Sequence, residues 1–251
     1  MMKFEDIIKQ IEQFAPIDDY RESDSSGVQI ECGSGDVERV LVCLEINDAV
    51  IDEAIRENAE MIVTHHPLIF YPVSSVTARD VPGRYIIRLI QNGISVYSSH
   101  LPFDFCDTGN NAYLSELLGL TDEIHGFCGS FRKPVSLEEA CAITAKALEL
   151  PDGYIRAVDA GRPISRVGYC TGAGGDMIRE ALDAGCDLFI TGDLKLHEAQ
   201  YAKAMGISVI DAGHYGTEKI FTENFSRQLR EKVGEDAAVI EAISDTNPYI
   251  K

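Results

Sequence analysis

Five of the six histidines follow apolar segments typical of buried strands, and acidic residues lie close to them. The segments are MIVT and ISVYSS in the first half of the chain, and DLFIT and ISVIDAG in the second half. Ligands of open α/β sheets bind beyond the carboxyl ends of the strands, where these side chains are expected. The candidate residues are His65, His66, His100, Asp104, Asp193, His197, His214 and Glu218.

Two adjacent imidazoles suggest a site with two metal ions. His65 and His66 precede a proline that favours an extended backbone, in which neighbouring side chains point to opposite sides. They cannot easily bind one ion, but each can bind one of two neighbouring ions, with carboxylates between them as in two-metal hydrolytic sites. Asp104 supplies one carboxylate. His214 and Glu218 are four residues apart where a helix is predicted to begin, so they share a face and add a nitrogen and a carboxylate.

The types of these side chains restrict the metal. Imidazole and carboxylate ligands without converging cysteines suit zinc, iron, manganese or nickel better than a structural thiolate site. A single histidine at a strand end is usually an ordinary polar residue, and an HxxxE spacing on a helix is common by chance. Four such positions at equivalent strand ends favour the metal site.

A glycine-rich stretch offers a second candidate site. The sequence CTGAGGD (170–176) follows a predicted strand and precedes a predicted helix, so its backbone N–H groups could bind a phosphate. The stretch does not complete a GxGxxG motif and contains no GK[ST], and Asp176 can simply cap the helix. A plain turn is the favoured interpretation.

The predicted elements repeat. IDEAIRENAEMIVTHH aligns with IREALDAGCDLFITGD, and NGISVYSS aligns with MGISVIDA, so each half contains a strand–helix–strand pattern. We predict a duplicated α/β fold in which two similar lobes, residues 1–126 and 127–251, pack face to face with the metal site between them. The lobes are expected to interleave, with the last helix packing on the first lobe.

The composition restricts the function classes. The 22 basic and 41 acidic residues give a net charge of −19, which disfavours direct binding to nucleic acid. No apolar run approaches the roughly 20 residues that cross a membrane, and the amphipathic N-terminal segment does not have the pattern of a signal peptide. Seven cysteines without a CxxC pair are typical of a reducing compartment, so a cytoplasmic location is expected.

Five segments carry a resemblance to a known family over nearly the whole chain. THHPLIF, SSHLPFD followed by GNNAYLSELLGL, TGAGGD, FITGD and GHYGTE resemble the Nif-three-like proteins, the type 2 homologues of GTP cyclohydrolase I, in their short form without an inserted domain. The resemblance implies a duplicated α/β fold, a ring-shaped homohexamer and a dinuclear metal centre. It implies as metal ligands His65, His66, Asp104, His214 and Glu218.

Other residues of the family pattern imply supporting roles. His197 and His100 resemble residues that line the same cavity, which makes them candidate proton carriers or partners of the metal ligands. Asp193 stands where relatives often have glutamate, and its side chain is one methylene shorter.

The expected function is a dinuclear metal-dependent hydrolase. Its substrate would be a small molecule, a nucleotide or a cyclic amide, attacked by a metal-bound hydroxide as the family's GTP cyclohydrolase name implies. Two alternatives remain open. The protein could be a non-catalytic metal-binding, metal-delivery or protein-interaction factor, or an assembly module whose histidines are ordinary polar residues.

Overall fold

A computed structural model describes residues 1–20, 22–33, 35–124 and 127–249. The chain forms two compact units, of which the first contains residues 1–106 and 221–251 and the second contains residues 107–220. The lobes predicted from the sequence repeat, residues 1–126 and 127–251, rest on a different criterion from these compact units. Their bounds therefore stay a prediction. The predicted boundary at residue 126 lies outside the described residues. The final helix and strand of the chain belong to the first unit.

The first unit is built on a sheet of five strands in the order β13-β4-β5-β6-β2. The four strands from β13 to β6 are parallel, and β2 pairs with β6 in the antiparallel direction. The two short strands β1 and β3 form a separate antiparallel pair. The strands are β1 (Met2–Lys3), β2 (Gly27–Ile30), β3 (Asp36–Val37), β4 (Arg39–Cys43), β5 (Met61–Thr64), β6 (Ser95–Ser98) and β13 (Ala238–Glu241). The helices are α1 (Phe4–Glu12), α2 (Asp48–Arg56), α3 (Gly83–Gln91), α4 (Leu101–Asp104) and α10 (Ile220–Val233), which begins at the boundary of the unit.

The second unit is built on a sheet of six strands in the order β7-β8-β10-β11-β12-β9. Its centre, β10-β11-β12, is parallel, and the outer strands are antiparallel to their neighbours. The strands are β7 (Thr121–Ile124), β8 (Cys128–Val135), β9 (Arg156–Val158), β10 (Ile164–Tyr169), β11 (Leu188–Thr191) and β12 (Ser208–Asp211). The helices are α5 (Asn110–Leu118), α6 (Leu137–Ala147), α7 (Ile178–Asp183), α8 (Leu196–Met205) and α9 (His214–Glu218).

The central strands are buried along their whole length. Every residue of β5, β6, β11 and β12 is buried, which explains why these strands do not alternate between apolar and charged residues. Helix α1 buries Phe4, Ile7 and Ile11 on one face, as their spacing predicts. Helix α6 begins with a capping box, in which Ser136 and Glu139 each accept a hydrogen bond from the other's backbone N–H group.

The duplicated α/β pattern predicted from the sequence is visible in the register of the two sheets. Thr64, the last residue of β5, pairs with Ser98 of β6. Thr191, the last residue of β11, pairs with Asp211 of β12. The two sequences align at these same positions, so the residues that follow them occupy equivalent places beyond the two sheets. Within the described residues, no helix is both long and apolar enough to cross a membrane.

Candidate metal centre

His65 follows directly on the middle strand of the first sheet and is fully buried. Its Nδ1 lies 3.0 Å from the carbonyl oxygen of Ser99. A carbonyl only accepts hydrogen bonds, so the ring carries its proton on Nδ1. The other nitrogen, Nε2, lies 3.5 Å from Oδ1 of Asp104. The imidazole also packs against the ring of Phe221, with 4.8 Å between the centroids. Its position and tautomer are therefore fixed by the fold.

Asp104 is placed by the short helix α4. The backbone N–H of Asp104 donates to the carbonyl of His100 at 3.1 Å, so the carboxylate lies one helical turn after His100. The residue is 5% exposed. A buried carboxylate is stable only with a charged or hydrogen-bonding partner, and the nitrogen of His65 beside it suits a shared cation.

His66 points to a different partner from its neighbour. Its Nδ1 lies 2.7 Å from Oε2 of Glu45, and its side chain is 21% exposed. The rings of His65 and His66 are 5.1 Å apart and inclined at 41°. The two side chains therefore lie together, and the prediction that they point to opposite sides is wrong, because β5 ends at Thr64 and the chain bends at His65 and His66.

His100 completes a group of three imidazoles in the first unit. One ring nitrogen from each of His65, His66 and His100 lies within 4.8 Å of the other two, a spacing that could accommodate a metal ion. Nδ1 of His100 lies 2.8 Å from Oδ1 of Asp24. Although burial opposes ionisation, hydrogen bonds from His100 and Ser26 hold the pKa of Asp24 below its usual value.

In the second unit, His214 and Glu218 form the pair that their spacing predicts. Nε2 of His214 lies 2.9 Å from Oε2 of Glu218, across one turn of α9. Nδ1 of His214 lies 2.9 Å from Oδ2 of Asp193, so the shorter aspartate still reaches the imidazole. Glu218 is 2% exposed. The second unit thus repeats an arrangement of the first, an imidazole Nε2 next to a buried carboxylate.

A glycine makes room for this pair. Gly172, in the glycine-rich stretch, has a φ of +69°, and a Cβ there would overlap Oε1 of Glu218 and lie 3.3 Å from Nε2 of His214. The rest of the stretch behaves as a turn. The N–H of Gly172 donates to Thr217 Oγ1 at 2.9 Å, and that of Gly174 donates to Thr191 Oγ1 at 2.8 Å. Because these donors are used within the protein, the structure favours the turn over the phosphate site.

His197 has different surroundings from the other candidates. It lies in the first turn of α8 with a side chain that is 76% exposed, and its Nε2 is 4.0 Å from Glu198. It belongs to none of the close groups of metal-binding side chains found among the described residues. Its role as a proton carrier stays a prediction.

The donor set fits divalent transition metals. Bonds of about 2.0–2.2 Å in a tetrahedral arrangement hold two ligand atoms about 3.4 Å apart. The two imidazole–carboxylate distances, 3.5 Å and 2.9 Å, are close to this separation. Metal-binding histidines also characteristically donate their second ring N–H to a carboxylate or a carbonyl. The Nδ1 atoms of His65, His66 and His214 all have such partners.

Cysteine chemistry does not compete with this site. Burial raises the pKa of Cys43 to about 12 and that of Cys186 to about 12, so both are thiols at neutral pH.

Sequence reasoning did not anticipate the contact at Cys128, whose Sγ accepts a hydrogen bond of 3.3 Å from Arg166.

Sequence reasoning also missed the acidic partners of the histidines. Asp24 and Glu45 lie far from their imidazoles along the chain. The only local signal at Asp24 was the turn-forming sequence DSSG, in which an aspartate side chain commonly bonds its own backbone two residues on. Nothing in the sequence around Glu45 indicated a contact with His66.

The fold and these side chains define a duplicated α/β protein with a candidate metal centre of histidines and carboxylates. Residues 2–248 match the family Duf34/NIF3 (NGG1p interacting factor 3), and the chain belongs to this family. The resemblance noted in the sequence is thereby confirmed.

Individual relatives agree with this assignment. The chain is 30% identical over 264 residues to a protein of Clostridium acetobutylicum named GTP cyclohydrolase 1 type 2 homolog, covering 99% of this chain and 98% of the relative. A Campylobacter jejuni protein of the same name is 33% identical, with 91% and 92% covered. The crystal structure of a Bacillus cereus protein related to NIF3 superimposes with a TM-score of 0.91 at 20% identity, covering 100% and 99% of the two chains. This last match shows the shared fold.

Proposed function

We propose that the protein is a dinuclear metal-dependent hydrolase of small molecules. In this proposal two divalent ions, of zinc, iron, manganese or nickel, are bound by His65, His66, Asp104, His214 and Glu218. The observation that carries the proposal is the shared orientation of the three imidazoles. Each binds an oxygen through Nδ1, which is the arrangement that prepares Nε2 for a metal.

The chain's own residues would hold and orient the ions. Divalent ions at such a site supply Lewis acidity, which polarises a bound substrate and lowers the pKa of water. Asp104 and Glu218, which are 5% and 2% exposed, would neutralise part of the added charge, and their burial would limit competition from water for their oxygens. Gly172 leaves the space that the Glu218 carboxylate occupies.

A proton must leave the attacking water during hydrolysis, and a nearby imidazole is the usual acceptor. His100 is favoured for this role because it belongs to the imidazole group of the first unit. His197 is the weaker candidate, since its side chain is exposed and, among the residues that the structure describes, Glu198 at 4.0 Å is its one acidic partner.

We further propose that the substrate is a nucleotide or a cyclic amide. The names of the curated relatives, GTP cyclohydrolase 1 type 2 homolog, support a nucleotide-like ligand. The net charge of −19 gives no long-range attraction for an anion, so binding would depend on the local charge of the metals. A homohexameric assembly and a cytoplasmic location remain part of the proposal, supported by the family resemblance and by the absence of disulfides among the seven cysteines.

The proposal is tested by loading the purified protein with each of the four metals and incubating it with nucleotides, phosphoesters and cyclic amides. We expect turnover of at least one compound with at least one metal, and its loss in His65→Ala. Turnover no higher than that of His65→Ala across the whole panel would contradict the hydrolase. If the metal then passed readily to an acceptor protein, a metal-delivery factor would be the better description.

A further inference from the structure

Asp24 is buried against His100. Its Oδ1 lies 2.8 Å from Nδ1 of the imidazole, and the two side chains are 3% and 19% exposed. An ionised carboxylate only accepts hydrogen bonds, so the proton between these atoms belongs to Nδ1 of His100. The hydrogen bond therefore selects one of the two neutral tautomers of the ring.

The loop around Asp24 holds this carboxylate from several sides. Oδ2 of Asp24 accepts hydrogen bonds from both the backbone N–H and the hydroxyl of Ser26. The same hydroxyl accepts the backbone N–H of His100 at 2.9 Å. The backbone N–H of Asp24 donates to the carbonyl of Tyr20 at 2.8 Å. The carboxylate and both the backbone and the ring of His100 are thus fixed by one small hydrogen-bonded network.

The Nδ1 partner of His100 differs from those of the other two imidazoles in its group. His65 bonds a neutral carbonyl through Nδ1, and His66 bonds Glu45, whose side chain is 52% exposed. Within this group, His100 is the imidazole whose Nδ1 meets a buried carboxylate, where the interaction is weakly screened by water. The same arrangement of a buried aspartate behind a histidine holds a catalytic imidazole in its working tautomer in other enzymes.

We infer that Asp24 is a positioning residue that fixes the orientation and tautomer of His100, so that Nε2 presents its lone pair to the imidazole group. The use of that lone pair rests on the proposed function, in which Nε2 accepts the proton of the attacking water. The tautomer itself does not depend on a bound metal or on a substrate.

The test is a nuclear magnetic resonance measurement on full-length protein with ¹⁵N-labelled histidines, after metal removal with a chelator. Two-bond ¹H–¹⁵N correlations distinguish the two tautomers, and a His100→Gln variant assigns the signals. We expect the proton of His100 on Nδ1 in the wild type and on Nε2 in Asp24→Asn, because the amide can donate to Nδ1. Asp24→Glu should restore the wild-type pattern.

Glu45→Gln is the matched control, because it changes the acidic partner of His66 instead. It should alter the signals of His66 and leave those of His100 in place. An unchanged His100 tautomer in Asp24→Asn would overturn the inference. If Asp24→Asn does not fold, Asp24→Ala provides the measurement: it removes the acceptor at Nδ1, and a His100 proton that stays fixed on Nδ1 would likewise overturn the inference.

Zinc binding separates this inference from the proposed function. Asp24→Asn should bind zinc within about twofold of the wild type, because His100 is not among the proposed ligands. A loss of about tenfold or more, the effect typical of partners of metal-binding residues, would mean that His100 is itself a ligand and would overturn its role as proton acceptor. A wild-type protein that binds none of zinc, iron, manganese and nickel would contradict the proposed function and leave the tautomer result intact.

Discussion

Both sheets contain three neighbouring parallel strands, β4-β5-β6 in the first and β10-β11-β12 in the second, but different residues follow the middle strand of each. After Thr64 the first sheet continues with His65 and His66, whereas after Thr191 the second continues with Gly192 and Asp193. A Cβ on Gly192 would lie 2.5 Å from both the carbonyl carbon of Gly213 and the backbone nitrogen of His214. The histidine side chain that follows the middle strand of the first sheet thus has no counterpart in the second sheet, because the backbone of Gly213 and His214 occupies that space.

This difference shows how a duplicated scaffold can present different side chains at equivalent strand ends. The first unit supplies imidazoles directly from the end of its middle strand. The second unit has a glycine at the equivalent position, Gly192, where the backbone that follows β12 passes close by. This backbone leads into α9, which begins at His214. The repetition places the strands, and the departures from repetition determine which side chains are available for chemistry.

The largest effect is expected from His65→Ala. The variant removes the buried imidazole next to Asp104 and should lower zinc affinity by more than about 100-fold, beyond the range for partners that only orient a ligand. Titration calorimetry on protein first stripped of metal measures the change. Zinc affinity equal to that of the wild type would remove the first unit from the proposed site.

Gly172→Ala tests whether the second unit contributes to zinc affinity. The added methyl group would displace the Glu218 carboxylate, so we expect a loss of zinc affinity of about tenfold. The left-handed backbone also costs alanine about 1–3 kcal/mol of unfolding free energy.

Gly206→Ala is the control for that strain. Gly206 has a φ of +77°, and a Cβ added there would meet no atom within 4 Å, so its variant should lose stability without losing zinc affinity. Thermal unfolding and zinc titration of both variants separate the two effects. Equal zinc affinities in the two variants would show that Gly172 serves only the turn.

A similar loss of zinc affinity, without the cost in stability, is expected when the acidic partners of the imidazoles are changed. Glu45→Gln and Asp193→Asn keep the shape of the side chain but weaken the acceptor at Nδ1 of His66 and of His214. Each should lower zinc affinity by about tenfold, the lower end of the range for such partners. If only one of the two variants had this effect, the units would contribute unequally to metal binding.

The smallest effect is expected from His197→Ala. An exposed side chain whose contact with Glu198 spans 4.0 Å usually changes stability by no more than about 0.5 kcal/mol when it is replaced. Zinc affinity, unfolding temperature and turnover should all match the wild type. A loss of turnover with unchanged zinc affinity would instead support His197 as the proton carrier.

The parts of the fold that the sequence predicted are those set by local patterns. Continuous apolar runs identified the buried strands, apolar spacing identified α1, and the HxxxE spacing identified the contact between His214 and Glu218. These patterns could be interpreted because each depends on neighbours within one or two turns or along one strand.

The parts that the sequence did not predict depend on contacts between distant segments. Asp24 is hydrogen-bonded to His100, 76 positions away in the sequence, and Glu45 is hydrogen-bonded to His66, 21 positions away. The need for glycine at 172 appears only when the Glu218 carboxylate is seen in the same space. The spacing of residues in the sequence does not predict such long-range contacts, because they arise from the packing of complete helices, strands and loops.

The central claim is that histidines and carboxylates at the strand ends bind metal, and anomalous scattering from crystals grown with zinc tests it most directly. We expect strong peaks within about 2.2 Å of Nε2 of His65 and of Nε2 of His214. Zinc peaks absent from both nitrogens, or found only at exposed side chains such as His197, would contradict the account.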